Sequence, residues 1–268
     1  MKILLLFLLA SLLSSNCFAQ IDTIDLKDKH LITSQLKPGI RQYMVFSQDP
    51  KINTNLNAFS IWVRDVELKD EGGEKVFAIS QHWYGESTDT AGYGFRYIYS
   101  LNKGADFAPI FFSEKYNDRK TVAFNWDADK ITVVDTLTRK PRKGFSLDFK
   151  IPNFNWNLDI ETFEMLPLAA GKTFAINFYD AGHGNPQYAI YKVTGSEVLT
   201  TFNNEKVDCW KLFTETIHNG NHYTETYWIS KKGHEFLKEE DSNPDGYRYK
   251  IKMPGLMPGL LPRFENKG

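Results

Sequence analysis

Apolar and polar residues alternate with a period of two through most of the chain from Ile40 onward, the pattern of strands that bury one face. Between Asn57 and Leu68, Phe59, Ile61 and Val63 alternate with Trp62, Arg64 and Val66. After a break at Asp70-Glu71-Gly72-Gly73, Phe77, Ile79, Gln81 and Trp83 face one way and Val76, Ala78, Ser80 and His82 the other, which predicts a hairpin across the glycines. Tyr93, Phe95, Tyr97, Tyr99 and Leu101 form an aromatic row of the same period. TVAFNW and ITVVDT flank a turn at Asp127-Ala128-Asp129-Lys130, and beyond it Phe145, Leu147, Phe149 and Ile151 share a face. The fullest signal is VDCWKLFTETI and HYTETYWIS around Asn219-Gly220, a pair suited to the left-handed dihedrals of a tight hairpin turn. Its second arm sets Tyr223, Glu225, Tyr227 and Ile229 on one face and Trp228 on the other. In the last strand Tyr247, Tyr249, Ile251 and Met253 alternate with Arg248, Lys250 and Lys252, which predicts a buried tyrosine face and a solvated basic one.

Helical spacing occurs once, from 158 to 168, through Phe163, Met165 and Leu166 with Pro167 limiting the end. Residues 21–38 are polar and irregular, so the fold is expected to begin near Ile40. These elements predict a mainly β protein: curved antiparallel sheets, or an open barrel or sandwich, with one short helix closing a sheet mouth. No linker-like shift of composition divides residues 20–253, although two packed halves meeting near 157 fit the pattern. The last segment, 254–268, is an apolar tail in which MPGL occurs in tandem, and its proline and glycine density argues against helix or central strand.

The amino terminus changes the picture. Lys2, the apolar run Ile3–Leu13 and a small-residue stretch ending at Ala19 have the layout of a secretory leader, predicting residues 1–19 as a signal peptide and the periplasm as destination. Cleavage before Cys17 with lipid attachment there is the alternative, as is release outside the cell. No later segment has the roughly 20 apolar residues of a membrane-spanning helix. A formal charge of −1 gives no basis for nucleic-acid binding, and Arg139, Lys140, Arg142 and Lys143 around Pro141 read as an exposed turn. Cys209, left alone after export, reads as a small buried hydrophobe.

Candidate chemistry is sparse. His234-Glu235 lacks the second histidine of a zinc protease helix, and nucleotide loops and serine elbows are absent, so neither a cofactor nor a catalytic residue is indicated. Asp241, Asn243 and Asp245 have the spacing of calcium-loop oxygens, but Lys252 stands where the bidentate glutamate belongs, and a β-turn explains them better. Aromatic abundance points instead to binding of a lipid or other apolar molecule, or of an envelope-protein segment. The candidate lining is Tyr93, Phe95, Tyr97, Tyr99, Trp210, Tyr227 and Trp228. A structural or assembly role through a sheet edge and the tail is the second reading, and a hydrolase using converging carboxylates the third.

FNWDADKIT at 124–132, PLAAGKTFAINF at 167–178, YAIYKVTGSEVLTTFNNEKVDCWKL at 188–212 and TETYWISKKGHEFLKEE at 224–240 together resemble the exported bacterial family DUF3108, a domain of unknown function. The turn before the cysteine-bearing strand departs from the expected glycine with Asn203-Asn204. The resemblance implies no catalytic residues. It implies a curved antiparallel sheet with a helix over the opening, by analogy with periplasmic lipoprotein carriers.

Overall fold

The computed structural model describes residues 21–27, 31–48, 56–85, 95–116, 121–137, 143–244 and 246–255. The leader, Tyr93, Arg139, Lys140, Arg142, Asp245 and the tail beyond Gly255 lie outside the described residues. Sixteen strands are present among those described: β1 Ile21–Ile24, β2 Gly39–Gln48, β3 Leu56–Glu71, β4 Glu74–Gly85, β5 Phe95–Lys103, β6 Pro109–Tyr116, β7 Val122–Trp126, β8 Lys130–Val133, β9 Ser146–Asp148, β10 Phe154–Asn155, β11 Thr173–Tyr179, β12 Gln187–Thr200, β13 Lys206–His218, β14 Asn221–Ser230, β15 Phe236–Asn243 and β16 Gly246–Lys252. The helix α1 is Asp159–Glu164, entered through a 3-10 turn at Trp156–Leu158.

One sheet joins them all, in the order β1-β11-β12-β13-β14-β15-β16-β2-β3-β4-β5-β6-β7-β8-β9, with β10 beside β11. Neighbours are antiparallel except that β1 and β10 run parallel to β11. The β16–β2 pairing, Lys252 opposite Tyr43 through Tyr247 opposite Gln48, puts the two halves of the chain into a single ladder. That ladder stays open, since β1 and β9 are not paired with each other. Side chains bridge the gap between its ends: Tyr179 of β11 meets Trp126 and Phe149 at ring separations of 5.6 and 5.4 Å.

The predicted hairpin pairs as expected, from Cys209 opposite Ser230 to His218 opposite Asn221. Its turn residues Asn219 and Gly220 take φ of 51° and 78°, the left-handed values that suit asparagine and glycine. Three expectations change. Residues 21–27 and 31–38 belong to the fold, because β1 pairs with β11 and Ile24, Leu31 and Leu36 are buried in the core. The helix is shorter than the apolar spacing suggests. The third change is the face of β16: Lys250 is 3 % exposed and Tyr247 39 %, so the basic side turns inward and the tyrosine side outward. Alternation shows that two faces differ; the sheet's curvature decides which is inside.

The main core lies between the inner face and α1. Phe163 stands 4.7 Å from both Tyr191 and Tyr227, and Phe178 and Phe236 continue the cluster. A six-residue helix has negligible intrinsic stability, so α1 exists because other elements hold it. Asn155 Oδ1 accepts the Asn157 N–H at 3.0 Å before its first turn. Glu161 meets Arg64 of β3 at 3.0 Å, while Glu164 meets Arg41 of β2 at 3.3 Å and accepts the Phe236 N–H at 2.9 Å. The short helix thus clasps β2, β3 and β15, which fixes Trp156 and Asn157 just ahead of it.

Candidate functional site

Next to the apolar core, the inward positions of consecutive strands are charged. Cross-strand register places Glu225 opposite Asp241 and Asp241 opposite Arg248, and in the next layer Tyr227 opposite Glu239 and Glu239 opposite Lys250. Farther around the sheet Trp62 pairs with Trp83, Arg64 with Gln81, and Trp83 with Arg96. All of these but Asp241, together with Trp156, Asn157, Asp159 and Asp180, line an open cavity of about 290 Å³. Successive inward side chains thus converge because period two keeps i and i+2 on one face and curvature brings distant strands together.

The indoles of Trp62 and Trp83 stack at 3.6 Å with 6° between their planes. Cations cover the outer faces of this pair: Lys250 Nζ lies 4.7 Å from the Trp62 ring, and the Arg96 guanidinium 4.3 Å from Trp83. Both indole N–H groups are used, Trp62 donating to Ser60 Oγ at 2.9 Å and Trp83 to Gln81 Oε1 at 3.3 Å. The backbone carbonyl of Asn157 accepts from Arg64 at 2.6 Å and from Gln81 at 2.7 Å, and its side-chain oxygen accepts from Arg96 at 3.0 Å. Asn157 is therefore the point at which helix and sheet are tied across the cavity.

Burial works against the Glu239 charge, but Lys250 and Arg248, both donating to it, outweigh that and hold its carboxyl down at about 2. Asp241 is driven the other way, up to about 7, by burial and by the neighbouring Glu239 charge, with Arg248 opposing. Burial also raises Glu225, whose carboxylate accepts from the Tyr227 hydroxyl. Three carboxylates on β14 and β15 thus converge on two cations of β16. Arg64, 2 % exposed, keeps a buried Nε without a hydrogen-bond partner among the described residues.

The sequence-predicted lining divides between the two faces. Tyr227 lines the cavity. Phe95, Tyr97 and Tyr99 lie on the outer face, opposite the buried Ile98 and Ser100, and pack with His82, Tyr84 and Phe111. Trp228 is outward too, in a small cluster with Cys209 and Leu237, its Nε1 donating to Glu197 at 3.1 Å. Trp210 faces the core with Lys231 over its ring at 4.3 Å. Of the calcium-like residues, Asp241 is bound by Arg248, and Asn243 pairs with Gly246 where β15 turns into β16. Burial pushes the Cys209 thiol up to about 11, which suits the inert reading.

Arg64, Gln81, Arg96, Asn157, Glu239, Arg248 and Lys250 escaped the sequence reading. Part of the signal was present: Gln81 interrupts the apolar face Phe77-Ile79-Trp83, and Glu225 sits between Tyr223 and Tyr227. A polar residue on an otherwise apolar strand face marks a place where the interior is wet or paired.

A sequence-family model described as "Protein of unknown function (DUF3108)" matches residues 42–252. Among solved structures the chain is similar to a beta-barrel-like protein of domain of unknown function DUF1849 from Brucella abortus, at 10 % identity and a TM-score of 0.52, over 81 % of this chain and 96 % of that one. At that identity the likeness shows the fold alone. No curated protein matches the chain.

Proposed function

We propose, from the premise that this chain belongs to the DUF3108 family, that it is a non-enzymatic binding protein of the cell envelope whose curved sheet receives a small molecule in the charged, indole-walled cavity. One observation carries this reading: Arg64, Glu239 and Lys250, each at most 3 % exposed, line a cavity of about 290 Å³ rather than a close-packed core. Burying ion pairs rarely stabilises a fold more than apolar packing of similar volume would. Recognition of polar groups gives the charges a role that packing does not. The envelope location rests on the leader pattern of residues 1–19. The apolar ligand expected from aromatic content becomes, on this geometry, a ligand with at least one strongly polar part.

Native mass spectrometry of the protein purified without denaturation, followed by denaturing extraction, tests the proposal. A reproducible small-molecule adduct is expected, and it should be lost in Arg248→Gln, where Lys250 still neutralises Glu239. A protein that is empty as purified, and equally empty in both forms after incubation with an envelope lipid and metabolite extract, would overturn it. The hydrolase alternative draws on the convergence of Glu225, Glu239 and Asp241. Breakdown of the extracted adduct by the parent but not by Glu225→Gln would favour it.

A further inference from the structure

A second cavity, of about 300 Å³, adjoins the first and shares three of its walls, Trp62, Trp83 and Arg96. Ser60, Gly85 and Tyr116 complete it. Register accounts for the shared walls: Ser60 lies opposite Gly85 one layer beyond the Trp62–Trp83 pair, and Arg96 lies opposite Tyr116. The same inward face thus continues from one cavity into the next.

The two differ in what their polar groups are doing. In the second, Ser60 Oγ already accepts the Trp62 N–H, and Trp83 Nε1 is spent on Gln81. Arg96 is held by Glu114, with its Nε at 3.1 Å, and by Asn157 Oδ1 at 3.0 Å, its guanidinium lying over the Tyr116 ring at 5.0 Å. With those polar groups engaged, the indoles of Trp62 and Trp83, the Tyr116 ring and Gly85 make this lining more apolar than polar, a surface suited to hydrocarbon. In the first cavity both signs of charge line the wall: Arg64, Arg96, Arg248 and Lys250 against Asp159, Asp180, Glu225 and Glu239. Trp156, 40 % exposed, offers a ring beside Asp159 and Asp180. A purely anionic group would meet four carboxylates and a purely cationic one the guanidinium and ammonium groups. A group carrying both charges pairs with each, and its ammonium can rest on indole.

We infer that the ligand is an amphiphile with a zwitterionic head, the head seated among Arg64, Lys250, Glu225 and Asp159 and the hydrocarbon chain running past the indole pair into the cavity at Ser60, Gly85 and Tyr116. Together the cavities fall within the size range of small-molecule sites, about 300–1,000 Å³. The inference rests on the binding reading above and names the class of ligand for the same site.

Isothermal titration with dodecylphosphocholine below its micelle-forming concentration, with dodecyl maltoside and with phosphocholine tests it. Dodecylphosphocholine should bind one to one, at least about tenfold tighter than the other two. Affinity should rise from hexyl- to dodecylphosphocholine. Gly85→Leu, which puts a side chain into the second cavity, should weaken dodecylphosphocholine about tenfold and leave phosphocholine unchanged. Equal affinity for the maltoside would overturn the zwitterionic head. Phosphocholine binding as tightly as the dodecyl compound, with no chain-length trend, would overturn the chain cavity yet leave a polar binding site standing. Absence of binding by all three probes would overturn the amphiphile, and the binding reading falls with it only if the purified protein also carries no adduct.

Discussion

The inner face of the sheet is built in two ways. Where β11, β12 and β13 face α1, Phe163, Phe178, Tyr191 and Leu212 fill the space, all 2 % exposed or less. Where β14, β15 and β16 face β3, β4 and β5, charged and amide groups leave a cavity instead. Tyr227 stands at the boundary, its ring against Phe163 and its hydroxyl on Glu225. The contrast separates two uses of burial. Apolar rings stabilise simply by leaving water, at about 1.5–3 kcal/mol for each fully buried large side chain. Charges that leave water must first be compensated, and the compensation here consumes Glu239, Asp241, Glu161 and Glu164 against Arg248, Lys250, Arg64 and Arg41.

The hardest test of this contrast is Phe163→Ala. It should destabilise the protein by about 3–5 kcal/mol, read as a shift of the urea midpoint at unchanged slope, because a large ring leaves a cavity that its neighbours refill only in part. Lys250→Met should cost about 3 kcal/mol by leaving Glu239 dependent on Arg248 alone, and the double variant Lys250→Met with Glu239→Leu should recover most of that loss. A double variant no better than the single one would show that the loss does not come from the uncompensated Glu239 charge. A cycle of the two singles and the double gives the coupling directly.

Acidity probes the charged groups alone. Glu164 is raised to about 7 by burial, against the pull of Arg41 and the Phe236 N–H, and Asp241 is likewise raised to about 7. A carboxyl whose folded value lies above its unfolded one favours the folded state while protonated, so both groups lose stability for the protein as pH rises from about 4 through 7. Glu239, held at about 2, acts in the opposite sense: its contribution is present above about 4 and is lost as pH falls toward 2. The melting temperature should therefore peak near pH 5 and decline toward pH 8, and Glu164→Gln should flatten the upper limb. A parent profile that is flat from pH 5 to pH 8 would contradict the assignment. The smallest effect belongs to the outer aromatic row: Tyr97→Ala should cost about 1 kcal/mol and leave any adduct seen by native mass spectrometry in place.

Much of the architecture was legible in residues close together in sequence. Asn219-Gly220 and Gly72-Gly73 mark hairpins because their backbone demands are local, and the strands between them follow from alternation. The irregular segment 21–38 hid β1 because a four-residue strand carries too few positions to show a period. Apolar spacing locates the helix but overextends it, running on through Leu166 and Leu168 where the backbone leaves the helix after Glu164.

What the sequence determined by itself was the alphabet of strands and turns and the single short helix, because dihedral preference and period-two patterning act over a few residues. Which face of each strand points inward was decided only when β16 joined β2 and the sheet curved. That step moved Lys250 and Arg248 inside, sent Phe95, Tyr97 and Tyr99 outside, and brought Arg64 of β3 within reach of Glu161 on α1. The physical reason is that a strand's alternation is symmetric between its faces. Only contacts between residues far apart in the chain break that symmetry, and the charged cavity closes through such contacts, Arg64 and Gln81 on the Asn157 carbonyl and Arg96 on its side chain.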